Sequence, residues 1–133
     1  MSEKSIKITY WVLNIIFCLF HLMDAGFGLA KAKAGVDAMN LMGYPIYLMT
    51  FLSVLKILGV VALLQDKFKT IKEWAFAGFS FTLIGAAVSH ACINDQVLFI
   101  VMPVIFLVIL FALYYCWRKL EQIKVNLAQT HQI

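Results

Sequence analysis

The chain has 133 residues, of which 63% are hydrophobic and only 14% charged, and its formal net charge is +4. Ordinary globular chains are nearer half apolar and a quarter charged, so this composition excludes a soluble globular domain. The basic residues sit in the gaps between apolar blocks, which makes the charge a topology signal rather than a nucleic-acid footprint.

Four blocks, at about 8–30, 44–65, 71–93 and 96–117, each approach the roughly twenty residues a helix needs to cross hydrocarbon. The expected fold is therefore all-α, an integral membrane four-helix bundle forming a single domain over residues 1–133. The first block is too long for a signal peptide, and no Ala-x-Ala-like cleavage site follows it. It is expected to stay as the first span. Asn14, Phe17, His21, Asp24 and Gly28 repeat along it at a 3-4 spacing and form one seam. Asn14 and Cys18 are read as packing.

The loop "KAKAGVDAMNLMGYP" is the longest connection, and residues 36–42 are expected to form a short interfacial helix. Gly43 and Pro45 punctuate the start of the second span, Pro at an early position where its missing N–H is harmless. In that span Ser53, Lys56 and Gly59 make a stripe. Lys56 lies too deep to snorkel and demands an acidic partner, for which Asp24 is the only carboxylate within a span. Next, "QDKFKTIKEW" reads as a turn, with Thr70 and Glu73 as a capping box and Trp74 as an interfacial anchor. Glu73, at the interface, is read in that bland capping role rather than as a functional group.

The third span carries Gly78, Thr82, Ala86 and His90 as an i+4 row, with Gly85 and Ser89 beside it. Small residues of this kind let helices approach closely in lipid. "NDQ" is a tight connection with Asp95 as a helix cap. The fourth span, "VLFIVMPVIFLVILFALYYCW", is apolar on all sides, is expected to bend at Pro103, and suits a lipid-facing scaffold. Cys18, Cys92 and Cys116 lie at different depths, which argues against a disulfide. Cys92 near the outer rim is read as packing.

Lys4, Lys7, Lys67, Lys69, Lys72, Arg118, Lys119 and Lys124 fall on one side, and Lys31 and Lys33 on the other. This asymmetry places both termini and the second loop in the cytoplasm. Trp11, Trp74 and Trp117 all fall at the same inner ends, as an aromatic belt would. A rise of 1.5 Å per residue puts Lys56 about 12 Å, His21 about 16 Å, Asp24 about 21 Å and His90 about 24 Å above the inner boundary. The expected pairing sets Asp24 against His90, with Lys56 reaching toward His21 or Asp24. Each polar group also has a purely structural reading, since buried polar pairs in membrane bundles often only join helices.

The two histidines differ in depth by about 8 Å and share their layer with a carboxylate and a lysine, which argues against a bis-histidine haem. No zinc spacing, nucleotide-binding glycine motif or nucleophile–base signature is present, so no metal site and no catalytic residue is assigned. The chain reads as a subunit or binding protein rather than a stand-alone enzyme.

The stretches "MGYPIYLMTFLSVLKILGVVALL" (42–64) and "IKEWAFAGFSFTLIGAAVSH" (71–90) resemble the DoxX-like family of small four-helix bacterial membrane proteins. The resemblance rests on Gly43-Tyr44-Pro45, Lys56, Gly59, Lys72-Glu73-Trp74-Ala75, Ala77-Gly78-Phe79, Gly85-Ala86 and Ser89-His90, and more loosely on "AGFGLAK" (25–31). "LLQDKFK" departs from the family's Pro-containing loop after the second span. The wider superfamily includes subunits associated with quinol oxidase and thiosulfate:quinone oxidoreductase complexes, and relatives acting in membrane-protein assembly. The resemblance thus implies a redox-associated subunit binding a quinone-like lipophilic molecule, or an assembly factor. Candidate ligand-binding or proton-relay residues are His21, Asp24, Lys56, Ser89 and His90. The alternatives are a scaffold whose polar cluster is structural and which contacts another membrane protein or a second copy, and a small proton-coupled carrier.

Overall fold

The computed structural model describes residues 2–132. Five helices follow one another: α1 (Glu3–Leu29), α2 (Lys33–Met42), α3 (Ile46–Leu64), α4 (Lys69–Cys92) and α5 (Val97–His131). Four of them, α1, α3, α4 and α5, are long and apolar enough to cross a membrane. Helix α2 is the short element expected between the first two spans, begun three residues earlier and closed by Gly43. It lies over the ends of α3 and α4.

The four long helices form a ring in which α1 packs on α3 and α5, and α4 packs on the same two neighbours. Helices α1 and α4 face each other across the diagonal, where the Phe17 and Phe79 rings meet edge-to-face at 5.1 Å. The core is built from 3-4 stripes: Tyr10, Asn14, Phe17 and His21 on α1, and Phe76, Phe79 and Leu83 on α4. The Asn14 amide donates to the Leu63 carbonyl at 3.2 Å, and Cys18 Sγ to the Asn14 side-chain oxygen at 3.4 Å, so both act in packing as expected.

Helix α5 corrects the expectation of a purely lipid-facing scaffold. Its outer side is exposed, but Phe106, Leu110, Leu113, Cys116 and Trp117 are buried against the other helices. An all-apolar helix can turn any face inward, so composition alone could not reveal this stripe. The helix also runs on through Pro103 and past the span, ending at His131. Trp117 is buried inside the bundle, whereas Trp74 is exposed. Cys92 is exposed rather than packed.

The small-residue row behaves in two ways. A Cβ at Gly59 would meet the Phe79 ring at 2.7 Å, so that glycine does bring α3 against α4. Gly78 and Gly85 instead have open space around their Cα atoms, and Thr82 and Ala86 are only half-buried. The buried stripe of α4 is the aromatic one, because Phe76, Phe79 and Leu83 remove more apolar area than the small residues could. Gly59→Val is therefore expected to lower stability by about 1–3 kcal/mol through overpacking. Gly78→Ala is expected to raise it by up to about 1 kcal/mol through helix propensity alone. Thermal unfolding of the two variants in one detergent checks the opposite signs.

Candidate functional site

Seven residues is close to two helical turns, so positions seven apart share a face. Tyr10, Phe17 and Asp24 form such a series on α1, and Leu63 and Lys56 one on α3. Phe76, Leu83 and His90 continue it on α4, and Leu113, Phe106 and Phe99 on α5. Toward the lysine-rich end every member is buried. Toward the other end the same faces carry Asp24, Lys56, His90 and Phe99, whose exposures are 46%, 22%, 20% and 46%. Along these faces buried residues thus give way to partly exposed ones, ionisable on α1, α3 and α4 and aromatic on α5.

Lys56 Nζ donates to Asp24 Oδ2 across the α1–α3 seam, forming the ion pair that a deep lysine requires. His90 Nδ1 lies 2.8 Å from Asp95 Oδ2, and because a carboxylate accepts, this nitrogen carries the hydrogen. The Phe99 ring stacks on His90 at 5.8 Å. Asp95 Oδ1 also accepts from the Gln96 backbone N–H at 2.8 Å. The His90 ring, with help from that amide, holds the Asp95 carboxyl below the usual carboxylate range. At the rim, the Tyr44 and Ser89 hydroxyls are 2.7 Å apart and tie the start of α3 to the end of α4.

His21 lies below the opening. Its Nδ1 donates to the Phe17 carbonyl at 2.9 Å, and its ring sits among Phe17, Phe79 and Phe106 with centroids 4.1, 4.9 and 5.6 Å away. These four rings fill the bundle as one aromatic layer, and the imidazole is buried within it. Such a layer has the edge-to-face and offset contacts that stabilise aromatic clusters.

Several expected roles change. Asp24 does not meet His90: the imidazole takes Asp95, five residues away across a tight turn, while the long Lys56 stem reaches Asp24. Local closure costs little chain entropy, so the near carboxylate wins. The capping box is not formed, because α4 begins at Lys69 with Phe68 in the cap position. Thr70 therefore lies inside the first turn, and Glu73 faces Arg118 at 3.4 Å. Asp95 is not a side-chain cap for α5 either, since Gln96 occupies that position.

One polar centre escaped the sequence reading. Lys72, grouped there with the loop lysines, is only 1% exposed. Its ammonium donates to the Tyr10 hydroxyl and, at 2.7 Å, to Asp66 Oδ1, and lies 5.1 Å from the Tyr10 ring and 5.6 Å from that of Trp117. The signal was present in the spacing, since Lys72 stands four and seven residues before Phe76 and Phe79 on the buried stripe.

This end of the four helices carries two ion pairs, Asp24–Lys56 and His90–Asp95, with the Phe99 ring stacked on the imidazole. That set suits a flat, mostly apolar molecule carrying hydrogen-bond acceptors. Among the described residues, no three His, Cys, Asp or Glu side chains converge as metal ligands would. No curated protein and no solved structure matches the chain. The model of the DoxX-like family matches residues 12–113, from the first turns of α1 to the buried part of α5, and so takes in every residue of the opening. With four helices suited to span a bilayer and a family match over most of its length, the chain is a small integral membrane protein of the DoxX-like family.

Proposed function

We propose that this protein is a redox-associated membrane subunit, a single domain that binds a quinone-like or other small lipophilic molecule in the polar opening between its four long helices. The observation that carries this reading is the change along the shared inward faces from buried aromatics to Asp24, Lys56 and His90. Ionisable groups inside a membrane bundle are costly and mark ligand or proton pathways. Lys56 would donate to a ligand carbonyl, Asp24 would hold that ammonium in place, and His90 would present its second ring nitrogen while Asp95 fixes the first. The Phe99 ring would lie along the ligand's flat body, with Ser89 at the rim. His21 belongs to the floor rather than to the ligand's polar contacts. The basic end, with both termini, would face the cytoplasm of a bacterial inner membrane.

Native mass spectrometry of the protein extracted in mild detergent tests the proposal. The expected result is a retained lipophilic adduct that is lost in Lys56→Met and in His90→Ala while both variants remain helical and monodisperse. A clean adduct-free protein that also fails to take up a short-chain quinone analogue would overturn it. The scaffold reading draws on one observation of its own: Asp24–Lys56 and His90–Asp95 already satisfy each other without a ligand. Under that reading the same variants unfold instead of merely emptying.

A further inference from the structure

At the lysine-rich end, far from the opening, α4 and α5 diverge around a cleft of about 710 Å³. Lys69, Arg118 and Lys119 line it, with the Thr70 hydroxyl and the carboxylates of Glu73 and Glu121. Lys69 lies 2.6 Å and Lys124 3.4 Å from the two oxygens of Glu121, so that carboxylate is neutralised twice over. Arg118 meets Glu73 only at 3.4 Å, with both side chains largely exposed. Lys119 has no carboxylate partner among the described residues, and its ammonium rests over the Tyr115 ring at 5.6 Å. Four cations therefore stand against two carboxylates: one surplus charge belongs to the Lys69–Glu121–Lys124 group and one to Lys119, while the loose, exposed pair leaves Arg118 free to turn to a second anion.

A second groove of about 270 Å³ lies between the same two helices and borders this cleft at Glu73, which lines both. The second groove follows the spanning part of α4 and α5, with walls of Phe76, Ala77, Leu110, Phe111 and Tyr114 and the Ser80 hydroxyl. It is apolar where an acyl chain would be, just as the first is basic where a headgroup would be. A free anion would use only the first cavity and an alkyl chain only the second. Their adjacency at Glu73 fits one amphiphile that carries both parts.

We propose that the α4–α5 face binds a single anionic phospholipid, with its phosphate on Arg118 and Lys119 and one acyl chain in the groove beside Ala77 and Phe111. The juxtamembrane position matters, since basic side chains near a bilayer surface attract anionic headgroups. The exposed aromatic wall at Tyr115 also belongs at headgroup depth. This site is separate from the polar opening and does not depend on what the opening holds.

The test titrates the purified full chain with phosphatidylglycerol or phosphatidylcholine in detergent and counts retained lipids by native mass spectrometry. A preference of about tenfold or more for phosphatidylglycerol is expected from a cleft with a surplus of two positive charges. Lys119→Gln, which breaks no ion pair and so leaves the fold intact, should lower that preference several-fold, and adding Arg118→Gln should abolish it. Ala77→Trp, which fills the groove from an exposed position, should weaken retention of both lipids alike. Lys4→Gln with Lys7→Gln, at the same end but on α1, should leave the preference unchanged. Equal retention of the two lipids, or a preference that survives loss of Lys119 and Arg118, would overturn the proposal. So would displacement of the lipid by millimolar inorganic phosphate, which would make the cleft a site for the free anion.

Discussion

Asp66→Ala is expected to destabilise the bundle more than Lys72→Met, although Asp66 is half-exposed and Lys72 is almost wholly buried. Removing the carboxylate leaves a buried ammonium with only the Tyr10 hydroxyl and two aromatic faces for partners. Stranding one member of a buried pair costs about 3–5 kcal/mol, and the remaining rings return about 1–2 kcal/mol of that. Methionine at position 72 keeps most of the stem's volume and removes the charge, after which Asp66 turns to water. What remains is a Tyr10 hydroxyl without its donor, at about 1–2 kcal/mol. Unfolding in detergent followed by circular dichroism ranks the two variants. If Lys72→Met is the more damaging, the site is held by the charge itself rather than by packing around it.

The second large effect concerns the pair in the opening. Asp24→Asn and Lys56→Met each leave a lone charge within a spanning helix, and each is expected to cost about 2–3 kcal/mol. Their combination removes both charges and should recover most of that loss, a coupling of about 1–3 kcal/mol. The double variant then separates two roles that the single variants confound. If it folds like the parent but no longer retains a lipophilic ligand, the ion pair serves binding. Undiminished retention in the double variant would sink that role and leave the pair as a helix fastener. A unfolding series on the four proteins, with ligand retention measured on each, supplies both answers.

How far the sequence went depended on how many partners each residue had to choose from. Lys56 pointed to Asp24 because a deep lysine needs a carboxylate and the spans hold one, although Asp24 was equally open to His90. The span count was equally legible, because twenty apolar residues have few other uses. His90 was misassigned because depth along a helix axis says nothing about a turn that brings Asp95 back onto it. His21 was placed on the correct seam, but its partner is a backbone carbonyl on its own helix, which no side-chain pattern records. Gly78 and Gly85 misled because small residues suit a helix contact and a lipid-facing surface equally. The inward stripe of α5 could not be read at all, since every position on that helix is apolar.

The aromatic layer of Phe17, His21, Phe79 and Phe106 has a consequence for traffic through the molecule. It divides the bundle into a cup and a stopper. Solvent or a ligand entering beside Asp24 and His90 reaches a floor of four packed rings, and beneath it lie Lys72 and Trp117, both buried. Among the described residues the imidazole is the polar group within that floor, and it is committed on one side to its own helix. A continuous water file would have to displace close-packed aromatic surface, which fits the proposed binding role better than a conducting one. A carrier cycle would need the whole layer to part, whereas a binding subunit needs it to stay shut.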